Sequence, residues 1–232
     1  MARPAGVAAE LARLLTPAPE APFPEPPAAA RRRRVVVAVT LVVGTGLLAA
    51  TLAVPAGSGR FTALGLAVAA AWAAGSRLSG PIPWRGRVPA GTAGHAALAP
   101  VVLGVLAYLA FLVASLLARQ VPGLAGALDS ILDRADAGPL LVLLVVALAN
   151  GAAEEAFFRG ALPAALGGPH GPRHATVVYV LVTAATLNLA LVVAAIAMGT
   201  LLALERRATG GVLAPTVTHL TWSALMLVGL PR

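Results

Sequence analysis

Hydrophobic residues fill long stretches of the chain, and polar residues are confined to short segments between them. Two runs, 35–54 and 96–118, have about the 20 residues that a helix needs to cross a bilayer. A shorter run covers 61–74, and another begins at 139 and continues to about 166. Three more follow at 175–187, 189–204 and 211–230. The pattern predicts an all-α, polytopic transmembrane bundle of roughly seven to eight spans.

Composition supports helices in a membrane. The chain has 232 residues, of which 59% are hydrophobic and only 11% are charged. Its mean hydropathy of +0.87 exceeds that of ordinary soluble domains. In hydrocarbon, only helices and closed barrels satisfy every backbone hydrogen bond, and continuous apolar runs favour helices. Cysteine is absent, which excludes disulfides, thiolate metal sites and cysteine nucleophiles.

The formal net charge of +8 reports membrane orientation rather than a nucleic-acid partner, because the arginines lie at the ends of apolar runs. Their distribution over alternate loops predicts an integral membrane protein with a cytoplasmic N-terminus and an external C-terminus. One segment leaves this open. Residues 175–204 must hold two helices with almost no turn, and a single long helix there would reverse the last span.

Three regions follow from these patterns. Residues 1–34 are rich in Pro and Ala and are expected to form a disordered cytoplasmic tail. Residues 35–138 hold the N-terminal transmembrane helices and loops, including a short helix at 121–138 outside the membrane. Residues 139–232 form the last group of helices and carry the polar candidates.

The strongest chemical signal is a pair of acids in an apolar segment, where an ionised carboxylate costs several kcal/mol. Glu155 and Arg159 are four residues apart and share a helix face, so they can form a structural ion pair. Glu154 points elsewhere and is expected to face a polar cavity. Asn150, one turn earlier, could hydrogen-bond the Glu154 carboxylate. The alternative is that the helix ends early and both acids are solvated.

Two other polar positions interrupt apolar runs. His219 lies in the last span, with Ser223 one turn beyond it on the same face. A lone histidine in a helix is more often a packing residue than a catalyst, so its role depends on a partner elsewhere in the chain. Asn188 lies between two apolar runs, where it is either a helix cap or a cavity residue.

These residues resemble the motifs of the CPBP intramembrane proteases, also called the CAAX protease or Abi family. Glu154, Glu155 and Arg159 match EExxxR. Residues 210–219 with Ser223 resemble the closing motif, in which a His is followed four residues later by Asn or a small polar residue. The resemblance covers roughly 139–230, the four-helix catalytic core of that family. It departs at the middle motif, because Asn188 stands where a second His belongs.

The resemblance implies an endopeptidase that cuts a membrane-associated peptide or protein. In this hypothesis Glu154 activates a water, His219 orients it, and Asn188 donates to the oxyanion, with Ser223 supporting His219. Glu154 and His219 could also bind zinc, although two ligands are few for that metal. The competing functions are a catalytically degenerate membrane scaffold and a transporter with a midplane carboxylate, although no internal repeat supports the latter.

Overall fold

The computed structural model describes residues 25–86 and 93–229, and in the second range it describes side chains from 98 onward. The nine α-helices of the described ranges are α1 Pro27–Ala53, α2 Gly59–Ser79, α3 Ala93–Ala118, α4 Pro122–Asp136, α5 Leu140–Glu154, α6 Leu162–Leu166, α7 Gly171–Ala184, α8 Leu189–Thr209 and α9 Leu213–Gly229. A π-helical segment, Glu155–Ala161, joins α5 to α6 without a break.

Five stretches of the described chain are long and apolar enough to cross a membrane. They are α1, α2, α8, the Leu98–Ala118 part of α3, and the continuous helix Leu140–Leu166. The helices α7 and α9 have 14 and 17 residues, fewer than the roughly 20 that a full span needs. The expected all-α membrane bundle is confirmed. The helix through Glu154 and Glu155 also continues as predicted, so these acids are not loop residues.

The first helix begins earlier than the apolar pattern indicates. It starts at Pro27, a favourable first residue, and therefore includes part of the segment that we expected to be a disordered tail. Arg33 is only 1% exposed, and its guanidinium donates to the Glu25 carboxylate and to the Pro81 carbonyl oxygen. These bonds hold the pKa of Glu25 below its usual value. Residues 1–24 lie outside the described residues.

The break between α7 and α8 separates two helices, so the alternative of one long helix is wrong. α7 ends at Ala184, and α8 begins at Leu189. Leu187 has φ 56, a left-handed conformation that cannot continue a right-handed helix. Because α7 and α8 are two separate helices, the last helix, α9, is not reversed as one long helix would require.

Small residues let α1 and α2 approach each other closely. A Cβ on Gly44 would lie 2.4 Å from the Trp72 ring, and one on Gly75 would lie 2.3 Å from Thr40. Close packing over small residues is a common way to join helices in lipid, where no hydrophobic effect drives their association. Trp72, held between the helices, packs at a tilt against Phe157 and Phe158, with ring centres 4.8 Å and 5.0 Å away. The α1–α2 pair thus supports the π-helical segment that follows Glu154.

Gly44→Val should destabilise the protein, because its side chain would overlap the buried Trp72 ring. Overpacking of this kind costs about 1–3 kcal/mol. Gly46→Val is the matched control, since a Cβ there meets nothing within 4 Å. Thermal unfolding in detergent should show a lower midpoint for Gly44→Val only. Equal midpoints for the two variants would contradict the α1–α2 packing.

Candidate active site

The candidate site forms where the π-helical segment meets α7, α8 and α9. Every residue of Glu155–Ala161 is buried. A π-helical turn inside an α-helix is uncommon and is frequently found at functional sites. Here it holds a Glu and an Arg within an otherwise apolar, fully enclosed stretch. The local backbone thus places charged side chains where neither water nor lipid headgroups can neutralise them.

Glu155 is paired on two sides. Its side chain has no exposed surface, and its Oε1 lies 3.3 Å from Arg159 Nη1, the ion pair that the spacing predicts. The same oxygen lies 2.9 Å from Nδ1 of His219, which is 6% exposed. We expected His219 to face Glu154, but its hydrogen bond goes to the neighbouring acid. Glu155 is therefore both the partner of Arg159 and the residue that orients the imidazole.

His219 lies against α5 at Gly151. The Cδ2 atom of His219 would be 3.6 Å from a Cβ at this glycine, one turn before Glu155. On the same helix face of α9, Trp222 has its ring centre 5.8 Å from the imidazole. These contacts fix the plane of the ring while Nδ1 is held by Glu155.

Glu154 differs from Glu155 in exposure and in partner. It is partly exposed, whereas Glu155 is fully buried. The hydroxyl of Tyr179 in α7 donates to Glu154 Oε2 across 3.3 Å. The imidazole of His219 is held at the adjacent residue, Glu155. The two adjacent acids thus have the separate environments that their positions on the helix predict, with Glu154 the more accessible one.

Arg159 connects the site to α7 and α8. It is 2% exposed, its Nη2 donates to the Gly199 carbonyl oxygen across 3.3 Å, and its guanidinium lies 4.6 Å from the centre of the Tyr179 ring. Its own carbonyl oxygen accepts a 3.0 Å hydrogen bond from Arg206 Nε. One buried guanidinium therefore holds three elements around the carboxylates.

Asn150 does not bind Glu154, contrary to the expectation from its spacing. Its Nδ2 donates instead to the carbonyl oxygens of Gly65 and Val146, each at 2.9 Å. A Cβ on Gly65 would lie 2.7 Å from Val146, so α2 and α5 are in close contact at this level. The Asn150 amide hydrogen-bonds the Gly65 carbonyl oxygen at this contact, so Asn150 joins α2 to α5.

Asn188 acts as a helix cap rather than as a cavity residue. Its Oδ1 accepts from the Leu191 N–H at 3.0 Å, the standard N-cap bond for α8. Its Nδ2 donates to the Ala127 carbonyl at 3.0 Å and to Ser130 Oγ at 2.9 Å, both in α4. The structure therefore does not bring this side chain to His219. Ser223 lies one turn beyond His219, but no hydrogen bond joins these two described residues.

Three polar residues of this region were missed from the sequence. Tyr179 is one of only two tyrosines in the chain, and this rarity was the one feature of the sequence that could have drawn attention to it. Thr218, adjacent to His219, has its hydroxyl 3.0 Å from the Pro100 carbonyl oxygen and 2.9 Å from Glu205 Oε1. Glu205 is the one acid in the apolar sequence of α8. The two hydrogen bonds of Thr218 join α9 to α3 and to α8 next to the imidazole of His219.

The donor set does not fit zinc. Among the side chains that the structure describes, in residues 25–86 and 98–229, no group of three or more His, Asp or Glu is placed to hold a metal ion. Catalytic zinc sites use three protein ligands. Glu154 and His219, the pair we considered as ligands, lack a third donor, and the hydrogen bond of His219 goes to Glu155. No step proposed below therefore uses a metal.

Glu155→Gln should strongly destabilise the protein, because it leaves the guanidinium of Arg159 buried without its counter-charge. Breaking a buried pair costs about 3–5 kcal/mol. The control is Asp129→Asn, which removes an ion pair of the same 3.3 Å length between side chains that are 41% and 54% exposed. That change should cost no more than about 1 kcal/mol. Similar losses in unfolding experiments would contradict the burial of Glu155.

Asn188→Ala should remove the cap of α8 and loosen α4 while leaving the site geometry intact. A lost N-cap costs about 1 kcal/mol. Asn188→Ser retains a capping oxygen but loses the amide bonds to α4, so it separates the two contributions. Hydrogen exchange should become faster in α4 in both variants and at the start of α8 only in Asn188→Ala. Unchanged hydrogen exchange in α4 would refute the role of the Asn188 amide in holding α4.

Comparison with known proteins supports the family suggested by the motifs. Residues 136–225 match a family model described as "Rce1-like: Type II CAAX prenyl endopeptidase Rce1-like". The chain matches no curated protein and no solved structure. The matched region contains Glu154, Glu155, Arg159, Asn188 and His219. Residues 136–225 are therefore similar to the CAAX protease family, which agrees with the EExxxR segment and the closing His motif.

Proposed function

We propose that this membrane protein is an endopeptidase that hydrolyses a peptide bond of a membrane-associated peptide or protein, using a water activated by Glu154. The observation that carries the proposal is the division between the two adjacent acids. Glu155 is fully buried and bound to Arg159 and His219, whereas Glu154 is partly exposed and bound only by a hydroxyl among the described residues. Only Glu154 is free to meet water and substrate.

In the proposed reaction, Glu154 takes a proton from a water whose oxygen attacks the scissile carbonyl carbon. The tetrahedral intermediate then collapses, the C–N bond breaks, and Glu154 returns the proton to the leaving nitrogen. Hydrogen bonding to the oxyanion lowers the barrier for the attack. Every atom required is supplied by the peptide, one water and one carboxyl group.

His219 has a defined role in this scheme. A carboxylate only accepts hydrogen bonds, so the 2.9 Å contact with ionised Glu155 places a proton on Nδ1. Nε2 is then the ring nitrogen left for the reaction, where it accepts from the attacking water or, when protonated, donates to the oxyanion. The same arrangement of carboxylate and imidazole orients the general base in serine proteases. Glu155 is accordingly a positioning residue.

The proposed setting is the bacterial plasma membrane, with the N-terminus in the cytoplasm. Exposed arginines at the N-terminal end of α1 and of α7 and at the C-terminal end of α2 support this orientation, since positive charge is retained on the cytoplasmic side. Alternate ends of consecutive antiparallel helices lie on the same side of the bundle, which is consistent with one basic, cytoplasmic surface. The substrate would be reached from the bilayer or its interface.

Glu154→Gln and His219→Ala should each abolish cleavage. The amide cannot accept the water proton, and the methyl side chain cannot orient it. The measurement is mass spectrometry of new peptide termini in membranes containing wild type or variant, with unfolding midpoints recorded for each protein. Asp133→Asn, which neutralises an exposed acid of α4, is the control and should cleave normally.

The same experiment decides against the proposal if wild type and both variants give identical termini. That result would support a membrane scaffold with the family fold. Loss of cleavage in His219→Ala accompanied by unfolding would be uninformative alone, so His219→Gln, which keeps a polar side chain of similar length, is measured beside it and should fold but not cleave.

A further inference from the structure

Tyr179 is the one side-chain donor that hydrogen-bonds Glu154 among the described residues. The sequence offered Asn150 for this task, but its amide is used between α2 and α5. The contact from the hydroxyl oxygen to Oε2 is 3.3 Å, longer than a typical O–H···O bond. Hydrogen bonds of catalytic groups are often long before substrate binds and tighten in the complex.

The tyrosine ring is held from three sides. Arg159 places its guanidinium 4.6 Å from the ring centre, and Phe158 packs against it edge-on at 4.9 Å. Gly199 of α8 closes the third side, where a Cβ would lie only 3.1 Å from Tyr179 Cδ1. Because a larger residue at 199 would displace the ring, the glycine permits α8 to approach it. The hydroxyl is therefore delivered to Glu154 by a fixed scaffold.

One of these contacts comes from a residue that is already bound to the buried acid. Arg159 pairs with Glu155 and also covers the Tyr179 ring, so the ion pair and the tyrosine are parts of one arrangement. Glu155 orients His219 through Nδ1, and Tyr179 holds Glu154 through Oε2. Each of the two reactive groups thus has one supporting partner, and Arg159 contacts both partners.

We propose that Tyr179 is a positioning residue that holds Glu154 Oε2 and thereby directs Oε1 toward the attacking water. This inference rests on the function proposed above. A carboxylate whose two oxygens rotate freely presents either of them to water and loses the aligned geometry that proton transfer needs. With Oε2 engaged by the hydroxyl, only one orientation is favoured. Tyr179 in this way supplies the support that the sequence assigned to an amide.

The competing explanation is that the hydroxyl only satisfies a buried polar group. Both explanations predict some loss of stability when the hydroxyl is removed, so stability does not separate them. They differ in catalysis. A positioning role predicts a fall in kcat that depends on the carboxylate at 154, whereas a packing role predicts the same small effect whichever acid is present.

The test begins with Tyr179→Phe, which keeps the ring contacts with Arg159 and Phe158 and removes only the hydroxyl. The substrate is a synthetic peptide that spans a cleavage site found by the membrane assay. For a hydrogen bond to a charged group, we expect kcat to fall about tenfold with KM changed less than about twofold. Tyr108→Phe is the matched control. It removes the other tyrosine hydroxyl, which donates to the Gly229 carbonyl oxygen at 2.7 Å in the α3–α9 contact, away from Glu154. This control should leave kcat unchanged.

The second stage repeats Tyr179→Phe in a Glu154→Asp background. The shorter aspartate withdraws the carboxylate from the hydroxyl, so removal of the hydroxyl should then lower kcat by less than about twofold. An equal fall in both backgrounds, or an unchanged kcat for Tyr179→Phe in the wild-type background, would overturn the positioning role. If the wild-type protein cleaves nothing in the membrane assay, the proposed function itself fails, which is a different result from an active wild type with an equally active Tyr179→Phe.

Discussion

Glu155 has no exposed surface, and it lies in a helix whose preceding turns are almost entirely apolar. An ionised carboxylate in such a place is stable only when charges or hydrogen-bond donors surround it. Arg159, one turn further along the same helix, supplies the charge, and His219, from the last helix, supplies the donor. These two contacts join the helix of the acids to α9, so a requirement of electrostatics also determines how the core assembles.

The remainder of the bundle holds that arrangement in place. Small residues allow α1 to pack closely against α2 around Trp72. The Trp72 ring contacts Phe157 and Phe158 in the π-helical segment. On the other side, Thr218 links α9 to α3 and α8 next to the imidazole. The two neighbouring acids therefore differ in exposure. Glu155 is fully buried and paired, while Glu154 is partly exposed, as the proposed reaction requires.

Much of this architecture follows from residue patterns. The apolar runs give the helices, and the four-residue spacing of Glu155 and Arg159 gives their ion pair, because both are consequences of local geometry. Partners across the bundle do not follow. Whether His219 meets Glu154 or Glu155 depends on how α9 is rotated against Gly151, and no local pattern records that rotation. Tyr179 was overlooked for the same reason, since its partner lies in another helix. The early start of α1 depends on Arg33 reaching Pro81, also a tertiary contact.

The state of His219 tests the central claim most directly. Solid-state NMR of the protein in lipid bilayers, with ¹⁵N-labelled histidine, should give one imidazole with a protonated Nδ1 in a strong hydrogen bond. That signal should vanish in His219→Gln. Its hydrogen-bond shift should become smaller in Glu155→Gln, measured at a temperature where this variant remains folded, because a neutral amide oxygen is a weaker acceptor than a carboxylate. An imidazole at 219 that exchanges freely between tautomers, and does not respond to the Glu155 substitution, would contradict the account.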